Sequence, residues 1–485
     1  MTRKSTPEPV PRLPIKFDGA SNGEYAPRPP TPRVRALWRR ALERCDENAR
    51  RTGRSRRDFL ASAAGAATTL LCTNEVLGAS GGRYALARET ALDEAAAQAA
   101  LGGDEFIFDV QTHHVNPARE WLEANPVFGF LKALPQGRCG ETDPLRCYSR
   151  HHYVKDIFMD SDTTLAVLSA LPAAPPKTPI AQEEMDETRR VVDLLEGTQR
   201  LHIHGQVLPN AGPIAEQLDG MQRLAESQPI KAWKLYTQWG PRGKGFWLDD
   251  KQVGIPVLEQ ARKLGIKVVC VHKGLILPGF DPEYAGCRDI GVVAKAFPDL
   301  TFIVYHSGFD PSVAEGPHDP RHAAGVGLDA LIRSLRDNGL KPNANVYAEL
   351  GSTWRILMQD PKAAAHGLGK LLTHIGEDRV LWGTDCIWYG SPQDQIQAFR
   401  AFQISPEFQE RYGYPALTPR LKAKVLGLSA AGPYGVDPAR VMKAVHGDAV
   451  AQAKADPDRP APEFVSRGPR TRREFLAALR AHVNP

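Results

Sequence analysis

Eight short apolar runs, rich in β-branched and aromatic residues and separated by stretches of helical periodicity, constrain this chain more than any other feature. They fall near residues 106–111 (FIFDVQ), 163–169 (TTLAVLS), 201–207 (LHIHGQV), 230–236 (IKAWKLY), 266–271 (IKVVCV), 300–305 (LTFIVY), 345–350 (NVYAEL) and 379–384 (RVLWGT). Most begin 29 to 45 residues after the one before, the length of a strand–helix unit returning to a parallel neighbour. The segments between them, such as Glu183–Leu195, Gly254–Leu264 and Leu328–Asp337, keep their apolar residues on one helical face. Eight such units predict an α/β fold, a (β/α)8 TIM-like barrel over residues 105–450. An open doubly wound sheet is the alternative, but no Gly-x-Gly-x-x-Gly turn follows any of the runs. One interval is long, 57 residues from the first run to the second, and holds Cys139, Cys147, His151 and His152. It lies on the face where such barrels build their sites, so it is expected to serve as a lid.

Ahead of the barrel the chain changes character. Residues 1–33 are rich in proline (Pro7, Pro9, Pro11, Pro14, Pro27, Pro29, Pro30, Pro32), show no apolar period, and are expected to be disordered. The basic excess is local: residues 33–57 hold ten Arg against three acids, so of the net charge of +5 the rest of the chain carries −2. A nucleic-acid binder spreads basic residues over its folded part, and this chain does not. Residues 1–54 therefore read as a disordered basic arm, 55–82 as a signal region and 83–104 as a linker. Within the signal region, Arg56-Arg57 with Phe59-Leu60 just after precedes a mostly Ala stretch from Ala61 to Cys72. Twelve apolar residues are too few to span a bilayer, and a basic segment before a short apolar one is the layout of an export signal. The pair resembles a twin-arginine signal, which predicts a periplasmic or otherwise exported protein. Roughly 55 residues ahead of the pair is long for such a signal, and a downstream start would explain it. The same dipeptide recurs at Arg472-Arg473, but no apolar run follows, so that copy reads as a surface helix. Residues 451–485 read as a Pro-rich linker and a terminal helix. In an oxidising compartment Cys139 and Cys147 are the expected disulfide.

Barrels of this kind place their chemistry at the C-terminal ends of the strands. The first run ends Asp109-Val110-Gln111-Thr112-His113-His114, with Gln111 and His113 on one face by alternation. The fifth ends at His272 (VVCVHKG), the sixth at His306 (FIVYHSGF) and the eighth at Asp385 (VLWGTDCIW). A lone strand-end His is more often structural, whereas four such groups at equivalent positions on a ring converge.

These residues, with the late segment Val425–Ala431 ahead of Tyr434-Gly435, resemble the metal-dependent amidohydrolase superfamily over about residues 105–440. The resemblance is closest to the amidohydrolase-related branch that includes aminocarboxymuconate-semialdehyde decarboxylase. It implies one divalent metal, usually zinc, held by the residues at positions Gln111, His113, His272 and Asp385, with His306 as acid–base group or polariser of the substrate. It also implies a hydrolase that activates water against an ester, lactone or amide with Asp385 as base, or alternatively a non-oxidative decarboxylase of an aromatic or unsaturated acid. Gln111 departs from the pattern, because an amide oxygen is a weaker zinc ligand than imidazole. It ligates through oxygen, or orients water or substrate while His113, His272 and Asp385 carry the metal, or marks a metal-free barrel used only for binding. His204 and Lys234 are expected to contact substrate, Lys234 as a carboxylate partner and less readily as the bridge of a two-metal centre. Glu349, Trp388 and Tyr389 are expected to line the pocket. The partners this reading admits are a small-molecule substrate, the twin-arginine export machinery and a second copy of the chain; it admits neither nucleic acid nor a stable membrane span.

Overall fold

The computed structural model describes residues 12–476 apart from 79, 119–138, 174–177, 196–198, 278, 321–324, 326, 457, 460–461 and 464. Eight strands run parallel in sequence order: β1 (Phe108–Thr112), β2 (Leu165–Leu168), β3 (Leu201–Gln206), β4 (Ala232–Tyr236), β5 (Val268–His272), β6 (Thr301–Tyr305), β7 (Val346–Glu349) and β8 (Val380–Leu381). The β8 end of the sheet returns to β1 through Val110 N to Trp382 O (3.1 Å), Asp385 N to Gln111 O (2.9 Å) and His113 N to Cys386 O (2.7 Å). The result is the expected (β/α)8 barrel, with helices such as Gln182–Asp193, Gly254–Lys263 and Leu328–Asp337 on its outside. Each of the three buries one face and leaves its charged residues out.

Inside the ring, alternate residues such as Phe108, Val110, Val167, Ile303 and Tyr305 form a closed apolar layer. Tyr434, from the helix Ser429–Tyr434, stops one end of that layer by packing edge-on against Phe108 (5.1 Å between ring centres). Register then carries the polar groups to the other end. Tyr236, His272 and Tyr305 share one row across β4, β5 and β6, and His306 follows one residue beyond. In β1 the pairing with β2 shifts between Asp109 and Thr112. That irregularity keeps Val110 in the apolar layer while Gln111 turns to the mouth.

The N-terminal region differs from the expectation of disorder. Leu13, Ile15 and Phe17 alternate along an extended segment and are all buried. Lys16 pairs with Asp394 (3.1 Å) and Asp18 with Arg355 (2.5 Å), both deep in the barrel half of the molecule. The helix Pro32–Arg51 starts on a Thr31 cap and buries Leu37, Trp38, Ala41 and Cys45, a 3–4 spacing that the density of arginines obscured. It packs on the helix Ala63–Leu77, which buries every residue from Ala63 to Cys72 except the half-buried Leu71. Residues 83–104, expected as a linker, carry most of the strand Gly82–Tyr84, antiparallel to Phe402–Ile404, and the helix Glu94–Leu101. Among the described residues no helix is long and apolar enough to cross a membrane.

Cys139 and Cys147 are joined as a disulfide; part of the insertion expected as a lid, residues 119–138, lies outside the described residues. Its described remainder packs down on the barrel, with Tyr153 Oη 2.7 Å from Thr112 Oγ1. The chain beyond the barrel returns over the mouth, where Arg467 N and Gly468 N donate to Trp388 O (3.1 and 2.9 Å). Residues 472–476 are helical, and the rest of the expected terminal helix lies outside the described residues.

Asp109 ties the closing seam together. It accepts from Gln111 N (3.2 Å), Thr384 N (3.0 Å) and Thr384 Oγ1 (2.5 Å), and it is fully buried. Asp109→Ala leaves these donors unsatisfied, and we expect a loss of about 2–4 kcal/mol in urea unfolding. A loss below about 0.5 kcal/mol would remove Asp109 from that structural role.

Candidate active site

Asp385 stands at the end of β8 with φ 57°, in the left-handed region. Of the seven non-glycine residues in that region among those described, His306, Ser307, Ser352 and Asp385 are four. Each costs of order 1 kcal/mol or more, so the surrounding contacts must hold these strand ends in place. At Asp385 the contacts are plain. Oδ1 accepts from Gln111 Nε2 (3.1 Å) and meets His113 Nε2 (3.2 Å). Oδ2 accepts from Ser352 Oγ (2.6 Å) and Asn22 Nδ2 (2.7 Å). Burial alone would raise its pKa, but the His113 hydrogen bond, the His306 and His113 charges and the Ser352 hydroxyl outweigh it and hold the carboxylate below its ordinary range.

The imidazoles are oriented from behind. His113 Nδ1 lies 2.8 Å from Ser169 O and His306 Nδ1 lies 2.7 Å from Gly351 O. A carbonyl accepts only, so both Nδ1 atoms carry protons. Burial pushes His306 down to about 4, so at neutral pH its Nε2 is a bare lone pair, 3.3 Å from Gln111 Nε2. His272 is likewise held neutral by burial, with the like charge of His306 adding to the effect. Its ring stands edge-on to His306 at 4.5 Å. A backbone carbonyl behind the far nitrogen, as in His113 and His306, is the way proteins orient metal-binding imidazoles. In His272 it is Nε2 that meets a carbonyl, Leu275 O (2.9 Å), so the proton lies there and Nδ1 carries the lone pair.

Glu349 braces this group without entering the cavity. Its carboxyl accepts from His306 N (3.0 Å) and Gly351 N (2.5 Å). The fit requires glycine at two places: a Cβ on Gly383 would meet Glu349 Oε1 at 1.7 Å, and one on Gly351 would meet Gln111 Oε1 at 2.2 Å. Gln111 Oε1 itself is buried with no hydrogen-bond partner, as is His272 Nδ1.

Two members of the site come from outside the barrel, and reading the strand ends missed them. Asn22 and Glu24 lie in the Pro-rich arm. Asn22 Nδ2 reaches both Asp385 Oδ2 (2.7 Å) and Glu24 Oε2 (2.6 Å). Glu24 Oε1 is 3.2 Å from His272 Nε2, and Oε2 is 3.8 Å from His306 Nε2. Burial, helped by the Asp385 charge, pushes Glu24 well up. The only sequence signal for this was the alternation of Leu13, Ile15 and Phe17, which seats the arm. With the arm in place the cavity among Asn22, Glu24, Gln111, His113, His272, Asp385 and Trp388 measures ≈ 10 Å³, about the room one water needs.

The structure thus brings Gln111, His113, His272, Asp385 and Trp388 to one cavity, with His306 against Gln111 and Glu24. Tyr389 sits behind, its hydroxyl 2.6 Å from Ser352 Oγ. Lys234 and His204 lie elsewhere, inside the barrel. Lys234 Nζ sits 3.2 Å over the Tyr305 ring without a hydrogen-bond partner, and burial lowers it to about 7. His204 Nε2 is 2.9 Å from Tyr434 Oη, on the side of the apolar stopper rather than the mouth. The donor set suits a divalent cation: ligating atoms of Glu24, His272 and His306 lie within 4.8 Å of one another, and imidazole with carboxylate is zinc chemistry.

Glu349 also supplies a pH test. Burial raises its pKa from 4.5 to about 8 against the pull of the two backbone N–H groups. A carboxyl that stays neutral in the folded state contributes stability at low pH, and that contribution fades as pH rises from 4.5 through 8. Wild type should therefore lose stability relative to Glu349→Gln across that window when both are unfolded in urea, and parallel pH curves would show that Glu349 ionises normally.

A family model described as amidohydrolase matches residues 189–436, just over half of the chain. No curated protein sequence matches. Among solved structures, an uncharacterised TIM-barrel protein from Bordetella bronchiseptica shares 16% identity at a TM-score of 0.44, covering 68% of this chain and 100% of that one. A 5-carboxyvanillate decarboxylase from Sphingomonas paucimobilis shares 14% at 0.41, covering 68% and 99%. A 4-oxalomesaconate hydratase from Rhodopseudomonas palustris shares 15% at 0.39, covering 68% and 96%. With β3 to β8 inside the matched span and His272, His306 and Asp385 at their strand ends, this chain belongs to the amidohydrolase family.

Proposed function

We propose that the protein is a mononuclear metal-dependent hydrolase acting on an ester, lactone or amide of a small molecule. The observation that carries this reading is the convergence of His113, His272, His306 and Asp385 from four strands, with two of the imidazoles tethered by their far nitrogens. His113, His272 and Asp385 would hold the ion, with Gln111 beside them as donor to Asp385. When bound, the ion, probe zinc first, supplies Lewis acidity and lowers the pKa of water to about 7.

The chain's own groups do the rest. Asp385 stays ionised and can take a proton from water at an oxygen now held by Ser352 and Asn22. His306 can take one at Nε2, and the imidazolium so formed stabilises negative charge developing on the substrate. A space of ≈ 10 Å³ admits no such substrate, so turnover includes withdrawal of Asn22 and Glu24. Asp385→Asn keeps the size and tolerates the left-handed backbone, but removes the proton acceptor and the charge. We expect turnover to fall by roughly 10²–10⁴-fold, with some loss of stability as well, because the amide nitrogen faces two of the four donors that the carboxylate accepts. Near wild-type turnover in that variant would overturn the role of Asp385. Carbon dioxide as the product, in place of a cleaved ester, lactone or amide, would make the enzyme a decarboxylase.

We also propose export through the twin-arginine route. Arg56 and Arg57 are exposed at the start of the helix Arg56–Leu60, open to a receptor. Because the apolar helix behind them packs into the fold, the exported protein would keep it. Arg56→Lys with Arg57→Lys should leave the protein in the cytoplasm. Unchanged recovery outside it, or an exported form that begins after residue 77, would overturn this picture.

A further inference from the structure

We propose that Glu24, carried by the N-terminal arm, is the resting-state ligand of the metal centre, taking the place that Gln111 leaves weak and that a substrate must later occupy. The proposal rests on the metal-dependent reading above and goes beyond it by making arm seating and metal binding one equilibrium. Three observations carry it. Glu24 approaches His272 and His306 from the open side of the barrel, and their ligating atoms lie within 4.8 Å of one another. Its partner Asn22 holds Glu24 Oε2 and Asp385 Oδ2 at once, so two buried carboxylates share one amide group. Like charges that close in a dry site repel strongly, and a cation between carboxylate and imidazoles relieves the repulsion. The arm is also built to deliver Glu24 and not merely to lie near it. Lys16 and Asp18 are each pinned by a buried ion pair, Ser21 N donates to Pro469 O (2.9 Å), and Tyr25 Oη donates to Ala20 O (2.5 Å).

Gln111 explains why an outside ligand is needed. Its Nε2 is committed to Asp385 and its Oε1 is crowded against Gly351, so the first strand supplies one imidazole, His113. An arm-borne carboxylate restores the count. A substrate that enters this position must displace the arm-borne carboxylate from it.

The test uses the full chain and zinc alone. Zinc affinity is measured by competition with a chromophoric chelator for wild type, Glu24→Gln and Gln111→His. Glu24→Gln should weaken binding by at least roughly 10-fold, and Gln111→His combined with Glu24→Gln should recover part of it. In parallel, trypsin cleavage after Lys16, which is buried when the arm is seated, is timed with and without zinc. Zinc should slow that cut in wild type at least several-fold and leave it unchanged in Glu24→Gln. Wild-type affinity in Glu24→Gln, or a cut in wild type that ignores zinc, overturns the proposal while leaving the metalloenzyme reading in place. Faster turnover of Glu24→Gln at unchanged zinc affinity would make the arm a plug without ligation and overturn it too. No zinc in any of the proteins would instead overturn the metal-dependent reading from which it starts.

Discussion

The carboxylate of Asp385 is where the barrel, its site and its N-terminal arm meet. Its backbone N–H closes the β8–β1 seam onto Gln111, and its side chain receives His113, Gln111, Ser352 and Asn22. A buried anion needs this many donors, since an unpaired one would not remain charged. The need reaches outward: Ser352 sits in a left-handed turn to present its hydroxyl, Glu349 locks that turn through Gly351 N, and the two glycines beside Glu349 leave it room. Strain at three strand ends, four residues in all, is the local cost of gathering ionisable groups from strands far apart in sequence.

Much of this was legible before any coordinates. All eight apolar runs became strands within a few residues, because a parallel barrel buries each strand on both faces and writes it as a continuous apolar run. His272, His306 and Asp385 were found because each breaks such a run with a polar group at its C-terminal end. The order that register imposes then brings them together. Gln111 was legible as a departure, though not its commitment to Asp385, which depends on a shift in β1 pairing that alternation does not foresee.

The arm was not legible, and the reason is physical. Proline and polar residues usually report chain that cannot bury enough surface to fold. Here the partner surface is the barrel itself, so the burial is announced only by the short alternation of Leu13, Ile15 and Phe17. Proline helps instead, because a chain already restricted in φ loses less entropy when it is laid down. His204 and Lys234 show the opposite error of reach. Both face the barrel interior, but a strand position says little about depth, and Tyr434 and Tyr305 take them.

The contact between Asn22 and Asp385 spans 363 residues, and this separation orders the birth of the protein. The arm is among the first parts made, yet its seat does not exist until the eighth strand and the returning chain near Pro469 have been placed. Closing so long a loop comes after local strand–helix units have formed. A nascent or truncated chain therefore has an open mouth with its acids and imidazoles facing water, and only the finished molecule is sealed. Completion of the barrel is thus marked at the site itself.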